Sequence, residues 1–280
     1  MATELPTTDM RISAEAIRHR KGGTPIVCLT AYTYPIARLL DHHVDLLLVG
    51  DSVAMVLHGH KTTLGASLEM MIAHGQAVMR GSASACVVID LPAGSYEVTA
   101  ALAVASARRV VDETGCQAVK LEGGVDMVSQ IAAIVAAGIP VMGHIGLQPQ
   151  SVEKDGGYKI KGRTEGAVAA LLRDALAVEN AGAFSVVIEG TVERVAADIS
   201  RRLAIPTIGI GASGDCDGQI LVIDDMVGLT VDRVPKFVKE YADLRSAISH
   251  AAKSYAAEVR NRTFPGPGHV FSATNSRDDA

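Results

Sequence analysis

Four carboxylates in this chain, Asp51, Asp90, Glu122 and Glu189, each follow a short apolar run. The runs end in Val49-Gly50-Asp51-Ser52, Ile89-Asp90, Lys120-Leu121-Glu122-Gly123 and Ile188-Glu189-Gly190, and another ends in Gly143-His144. Carboxylates crowded into one place repel one another and take up protons unless a cation sits among them. A small set of hard oxygen donors, with room for water and a chelating substrate, suits Mg2+. Asp51, Asp90 and Glu122 follow what read as the second, third and fourth strands, and are therefore the candidate metal ligands. A single acid at a strand end has a plainer explanation as the cap of the next helix. Three on neighbouring strands are poorly explained that way.

The other polar strand ends add to this chemistry. Lys120 stands two residues before Glu122, so on a strand both side chains point to one face. Between Val119 and Leu121 its ammonium is expected to be buried and costly without a partner, which a substrate carboxylate or keto oxygen would supply. His144, after Val141-Met142, reads as a substrate contact, with a satisfied core histidine as the alternative. Glu189 follows Val186-Val187-Ile188, apart from the other three acids, and is placed to act as base towards a carbon-bound proton. A helix-capping or ion-paired Glu is the plainer alternative there. A metal chelated by a 2-oxo acid stabilises the enolate formed when such a proton leaves. Enolate chemistry on a small oxo acid is the expectation.

Bringing these residues together requires parallel strands whose ends meet. Apolar runs at 24–32, 44–52, 85–91, 118–123, 140–146, 184–190, 206–211 and 220–225 alternate with amphipathic or Ala-rich stretches. Those stretches lie at 35–42, 68–80, 98–113, 125–137, 164–181 and 192–203, with a shorter link at 213–218. Eight strands alternating with helices in 280 residues predict an α/β fold, a (β/α)8 TIM barrel, whose active site lies at the C-terminal ends of the strands. Residues 13–19 predict an extra N-terminal helix, and 235–255 a closing C-terminal helix. The barrel is expected as a single domain over 1–262, followed by an irregular tail at 263–280. The long, Gly-rich segment 146–162 reads as a lid over the site.

Composition agrees with this outline. With 48% hydrophobic and 20% charged residues the chain reads as globular, and without Trp its core must come from Val, Ile, Leu, Ala and Met. A net charge of -5 offers no basic footprint for nucleic acid. Cys28, Cys86, Cys116 and Cys216 show no CxxC spacing and read as buried, reduced thiols. Glu4 and Asp9, with no apolar segment beside them, do not resemble a secretory signal. No uninterrupted apolar stretch reaches the roughly 18 residues a membrane span needs. A cytoplasmic protein is the expectation.

The segments Leu29-Thr30-Ala31-Tyr32, Asp90-Leu91-Pro92, Val119-Lys120-Leu121-Glu122-Gly123, Gly143-His144-Ile145-Gly146-Leu147 and Gly156-Gly157-Tyr158, together with those ending in Asp51-Ser52 and Glu189, occur in the order of a known family. Over roughly residues 12–271 the chain resembles the ketopantoate hydroxymethyltransferases. The resemblance implies that Asp51, Asp90 and Glu122 hold Mg2+, directly or through water. It implies that Asp51, Ser52, Asp90 and Lys120 hold the oxo acid, where His144 also reads as a contact, and that Glu189 is the proton acceptor. It implies a reaction in which the enolate of 3-methyl-2-oxobutanoate adds to the one-carbon unit of 5,10-methylenetetrahydrofolate, giving 2-dehydropantoate and tetrahydrofolate. It also implies a large homo-oligomer, commonly a decamer. Two segments depart from the family's usual pattern. Glu153-Lys154-Asp155-Gly156-Gly157-Tyr158 stands where the family usually has Asn-Lys-Leu-Gly-Gly-Tyr, and Phe264-Pro265-Gly266-Pro267-Gly268-His269 where it often has Phe-Pro-Gly-Glu-Glu-His. The rival class is the isocitrate lyase and phosphoenolpyruvate mutase type, which shares Gly-Asp-Ser and the metal carboxylates. Isocitrate lyases use a Lys-Cys-Gly-His loop, and no Cys-Gly-His occurs here.

Overall fold

The structure is a computed structural model that describes residues 11–231 and 234–271. Of the expected tail, residues 272–280 lie outside the described residues. The described chain divides into two compact units, the first formed by 11–223 with Pro235–Val238 and the second by the remainder.

The first unit opens with α1 (Ala14–Arg18), β1 (Ile26–Thr30), α2 (Tyr34–Leu40), β2 (Leu46–Val49), α3 (Val53–Val56), α4 (Leu68–Gly81), β3 (Cys86–Asp90) and α5 (Ala100–Thr114). It continues through β4 (Ala118–Glu122), α6 (Val128–Ala136), β5 (Val141–Gly146), α7 (Glu165–Asn180), β6 (Ser185–Glu189), α8 (Glu193–Arg202), β7 (Thr207–Ile210) and β8 (Gly218–Leu221). The strands form a closed barrel in sequence order, as expected. Every pairing is parallel, and β1 closes the ring on β8 with Ile26 opposite Gly218.

Most strands are apolar on both faces because helices cover the barrel outside and side chains fill it inside, whereas β1 and β8 leave Val27 and Gln219 exposed. One buried cluster takes Ile26 and Cys28, Leu46 and Leu48, Cys86 and Val88, Ala118, Met142, Val187, Ile208 and Ile220, so it draws on all eight strands and marks the barrel interior. Strand side chains alternate faces, so the same stripe continues upward two residues at a time. It reaches Asp90 on β3, Lys120 and Glu122 on β4, His144 on β5 and Glu189 on β6. The interior is thus apolar low in the barrel and ionisable at its C-terminal end.

The predicted N-terminal helix forms as α1, started by the Ser13 hydroxyl, which accepts from the Ala16 N–H at 3.1 Å. Its Ala14 and Ile17 join the interior cluster beside the first residues of the strands, so α1 plugs the N-terminal end. The covering helices bury one stripe each, as in α4, where Met71, Ile72, Gly75 and Val78 recur at helical spacing. Asp41, just past α2, ties that helix to the loop before β3. Its carboxylate accepts from the Ser82 hydroxyl and from the N–H groups of Ala83, Ser84 and Ala85. Cys28, Cys86, Cys116 and Cys216 are buried free thiols.

Two boundaries differ most from expectation. The eighth strand was expected at 220–225, but it runs over Gly218–Leu221 and gives way to α9 (Ile223–Met226). Gly218 reads as linker in the sequence, yet a Cβ there would stand 2.5 Å from the Ile26 carbonyl oxygen, so close approach of β1 and β8 demands glycine. The closing helix was expected at 235–255, but α10 covers Leu244–Arg260 in the second unit. Its start is set by Asp243, whose side chain accepts from the Ser246 N–H at 3.1 Å. Just before it, Tyr241 donates its N–H to the Met226 carbonyl at 2.7 Å. Among the described residues no helix is long and apolar enough to cross a membrane.

Candidate active site

The strand-end residues converge at the mouth of the barrel. Asp51, Asp90, Lys120, Glu122 and His144 are all buried, each at most 5% exposed. Register explains part of this, because Asp90 pairs with Lys120 and Glu122 with His144 on adjacent strands.

Lys120 donates from Nζ to Asp90 Oδ1 at 2.7 Å, and Asp90 Oδ2 accepts the backbone N–H of Asp51 at 3.1 Å. The expected partner of Lys120 was a substrate oxygen; here Asp90 pairs with it. Burial works against the ammonium, but Asp90, Asp51 and Glu122 outweigh it and push Lys120 up to about 12. Lys120 therefore stays charged and serves as a hydrogen-bond donor, not as a base.

His144 lies between two acids. Its Nδ1 is 3.3 Å from Glu122 Oε1 and its Nε2 is 3.3 Å from Glu189 Oε2. Neither contact reaches hydrogen-bond geometry, so they are ion-pair contacts. Burial and Lys120 disfavour the imidazolium, yet the flanking Glu122 and Glu189 prevail and push His144 up to about 9. Glu189 is thus not isolated from the other acids as its sequence position suggested, but reaches Glu122 through one ring. Its side chain is 17% exposed against 3% for His144, so it faces the open side of the site.

By its chemistry, though not by its present arrangement, the donor set suits a divalent cation. Four carboxylates share one ammonium and one imidazole, so acid remains in excess by two even with His144 charged. Burial first, then Asp90 and Glu122, push Asp51 up to about 8 against the opposing effects of Lys120 and Gln150. Among the described residues no group of three or more His, Cys, Asp or Glu side chains is arranged to hold a metal ion as it stands; Asp90 pairs with Lys120, and Glu122 with His144 and the Gln150 N–H. Hard oxygen donors of this kind are what a small divalent cation prefers.

Ser52 begins the turn into α3, and its hydroxyl lies 2.8 Å from that of Tyr32. Two residues that sequence reasoning did not assign to the site also stand here. Gln150 donates from Nε2 to Asp51 Oδ2 at 2.9 Å, and Tyr96 donates its hydroxyl to Gln150 Oε1 at 2.7 Å. Both sit on loops, and nothing in their local sequence separates them from solvated loop residues. The segment holding Gln150 leaves β5 at Gly146, where φ is +93° and a Cβ would lie 2.3 Å from the Glu189 carbonyl oxygen. Glycine there lets the chain pass close over β6 and turn back across the mouth.

Comparison with known proteins gives the family and the fold. The ketopantoate hydroxymethyltransferase family matches residues 11–267. A 3-methyl-2-oxobutanoate hydroxymethyltransferase of Mesorhizobium japonicum is 83% identical over 279 residues, covering 100% of this chain and 98% of its own. One of the same name from Sinorhizobium medicae is 59% identical, covering 95% of this chain and 97% of its own. Solved structures with the same fold include 2,3-dimethylmalate lyase, a PEP mutase/isocitrate lyase superfamily member, with a TM-score of 0.58 at 19% identity over 92% of this chain and 88% of that one. Phosphonopyruvate hydrolase in complex with oxalate and Mg2+ superposes with a TM-score of 0.59 at 11% identity, over 93% of this chain and 92% of that one. Those structures share the barrel at low identity, whereas the family match spans nearly the whole sequence. The chain belongs to the ketopantoate hydroxymethyltransferase family.

Proposed function

We propose that the acidic mouth of the barrel carries out the reaction of this family, transfer of a hydroxymethyl group to 3-methyl-2-oxobutanoate. The observation that carries this is the convergence of Asp51, Asp90, Glu122 and Glu189 around Lys120 and His144. Asp51, Asp90 and Glu122 would hold a divalent cation, Mg2+ by their chemistry. Bound there, the cation would draw charge from the oxo-acid oxygens and favour the enolate.

The chain's own residues supply the rest. Lys120, kept charged by Asp90, donates to an oxygen of the oxo acid, and the Asp51-Ser52 turn and His144 line the same space. Glu189 takes the proton from C3, and the electron pair left on carbon becomes the enolate. Charged His144 between Glu189 and Glu122 keeps the two acids from repelling and holds Glu189 towards the open side. Water hydrolyses the methylene bridge of 5,10-methylenetetrahydrofolate: both C–N bonds break, the nitrogens take water's two protons to give tetrahydrofolate, and the carbon keeps its oxygen as formaldehyde. The enolate carbon then bonds to that carbon, and the resulting alkoxide takes back the proton held by Glu189 to give 2-dehydropantoate. The protein works in the cytoplasm as a homo-oligomer, with a decamer the expected size.

The test is formation of 2-dehydropantoate by the purified protein from 3-methyl-2-oxobutanoate, with and without the folate and with Mg2+ added or chelated. Product that requires both supports the proposal. A folded protein that makes none, or cleaves the oxo acid instead, overturns it in favour of lyase chemistry.

A further inference from the structure

Gln150 makes more contacts to the acid cluster than a loop residue needs. Its backbone N–H donates to Glu122 Oε2 at 3.1 Å, and its side-chain Nε2 donates to Asp51 Oδ2 at 2.9 Å and to the Leu91 carbonyl at 3.1 Å. Its Oε1 accepts from the Tyr96 hydroxyl at 2.7 Å, and that hydroxyl accepts in turn from the Glu122 N–H at 3.2 Å. The amide can sit only this way round, since Asp51 and Leu91 both present acceptors and only the NH2 end can donate to them. Both amide protons and the amide oxygen are therefore satisfied by fixed partners. The N–H of residue 150 is held by the 3-10 turn Pro149–Ser151, in which Pro149 fixes one backbone angle.

Two carboxylates from different strand ends are thus gripped by one residue, through donors whose spacing the side chain sets. Without such donors, buried acids swing apart or protonate, and each loses the orientation that a cation requires. We propose that Gln150, backed by Tyr96, is a positioning residue of the cation site: it orients Asp51 and Glu122 and anchors the start of the 147–162 segment to them. This rests on the cation site proposed above. Partners that orient ligating side chains are worth about 10–100-fold in metal affinity.

The experiment titrates Mn2+, which accepts the same oxygen donors, into the purified protein and follows loss of the free-ion electron paramagnetic resonance signal. Wild type is compared with Gln150→Ala and with Tyr96→Phe, which removes the hydroxyl that holds the amide but leaves both carboxylates untouched. The expected result is Mn2+ affinity weakened about 10–100-fold in Gln150→Ala. A smaller loss in the same direction is expected in Tyr96→Phe, with kcat partly recovered as Mn2+ is raised. A merely structural Gln150 would lower the melting temperature without moving Mn2+ affinity, so affinity within twofold of wild type in folded Gln150→Ala overturns the proposal. If Gln150→Ala does not fold, unchanged affinity in Tyr96→Phe does the same. If wild type binds no Mn2+ at all, the cation site fails and this role for Gln150 with it.

Discussion

Replacing Glu189 by Gln tests its proposed task as base. The change keeps side-chain size but removes the proton-accepting carboxylate and its negative charge, one of the two that favour the charged His144. Glu189 lies at the solvent side of the cluster, 17% exposed, and among the described residues its ion-pair contact is with His144 Nε2 at 3.3 Å. His144 is buried and keeps Glu122 as its second acid, so the fold should stay intact at a cost of about 1–3 kcal/mol, the range for removing one partner of a buried polar group. The main effect of the substitution falls on the proton transfer. A positioned general base contributes about 10²–10⁴ in rate, which corresponds to about 2.7–5.4 kcal/mol of barrier. The assay is exchange of the C3 proton of 3-methyl-2-oxobutanoate in deuterated water with Mg2+, followed by proton NMR without the folate, so that enolate formation is read apart from carbon transfer. Exchange should fall by two to four orders of magnitude while calorimetry shows the oxo acid still bound. Exchange within twofold of wild type, with substrate bound, would refute Glu189 as base and move that role to another group at the mouth.

Three further outcomes follow from the packing. Lys120→Met removes one member of a buried ion pair, so urea unfolding in the presence of chelator should show a loss of about 3–5 kcal/mol, partly restored by adding Asp90→Asn; an unchanged midpoint would contradict the 2.7 Å pairing. Burial alone would raise Asp41, but the Ser82 hydroxyl and the N–H groups of Ala85, Ala83 and Ser84 more than offset this and hold it below the ordinary carboxylate range. Its stabilising effect is therefore present at pH values above the unfolded value and is lost as pH falls through the folded one. Asp41→Asn should cost about 1.5–3 kcal/mol near neutrality and narrow its gap to wild type in acid, as thermal melts across pH would show. Ile17→Ala opens a cavity at the plugged end of the barrel and should cost about 2–5 kcal/mol in denaturant titrations; because Ile17 lies far from the strand C-termini, kcat at 25 °C should not change.

Much of this protein is local in origin. A strand covered on both faces must be apolar throughout, and a helix between strands must show a stripe, so eight runs and their helices could be read from residue order. The strict alternation of strand side chains places Lys120 and Glu122 on one face from residue order alone, and puts chemistry at the strand ends. Local pattern was weakest at Gly218, where a linker-like glycine turned out to be required by strand approach, and at α10, whose start depends on the Asp243 cap after an irregular stretch. The pairing of charges was beyond its reach altogether. Whether Lys120 meets a substrate or Asp90, and whether Glu189 stands alone or leans on His144, depends on how strands align around a closed ring. Gln150 is 99 residues from Asp51 and only closure of the barrel brings its amide to that carboxylate. Residue order thus determined the barrel and the acids at its mouth, because periodicity is a property of the neighbouring chain. Tertiary structure alone decided which of those acids share which proton donors, because that depends on distances across the ring.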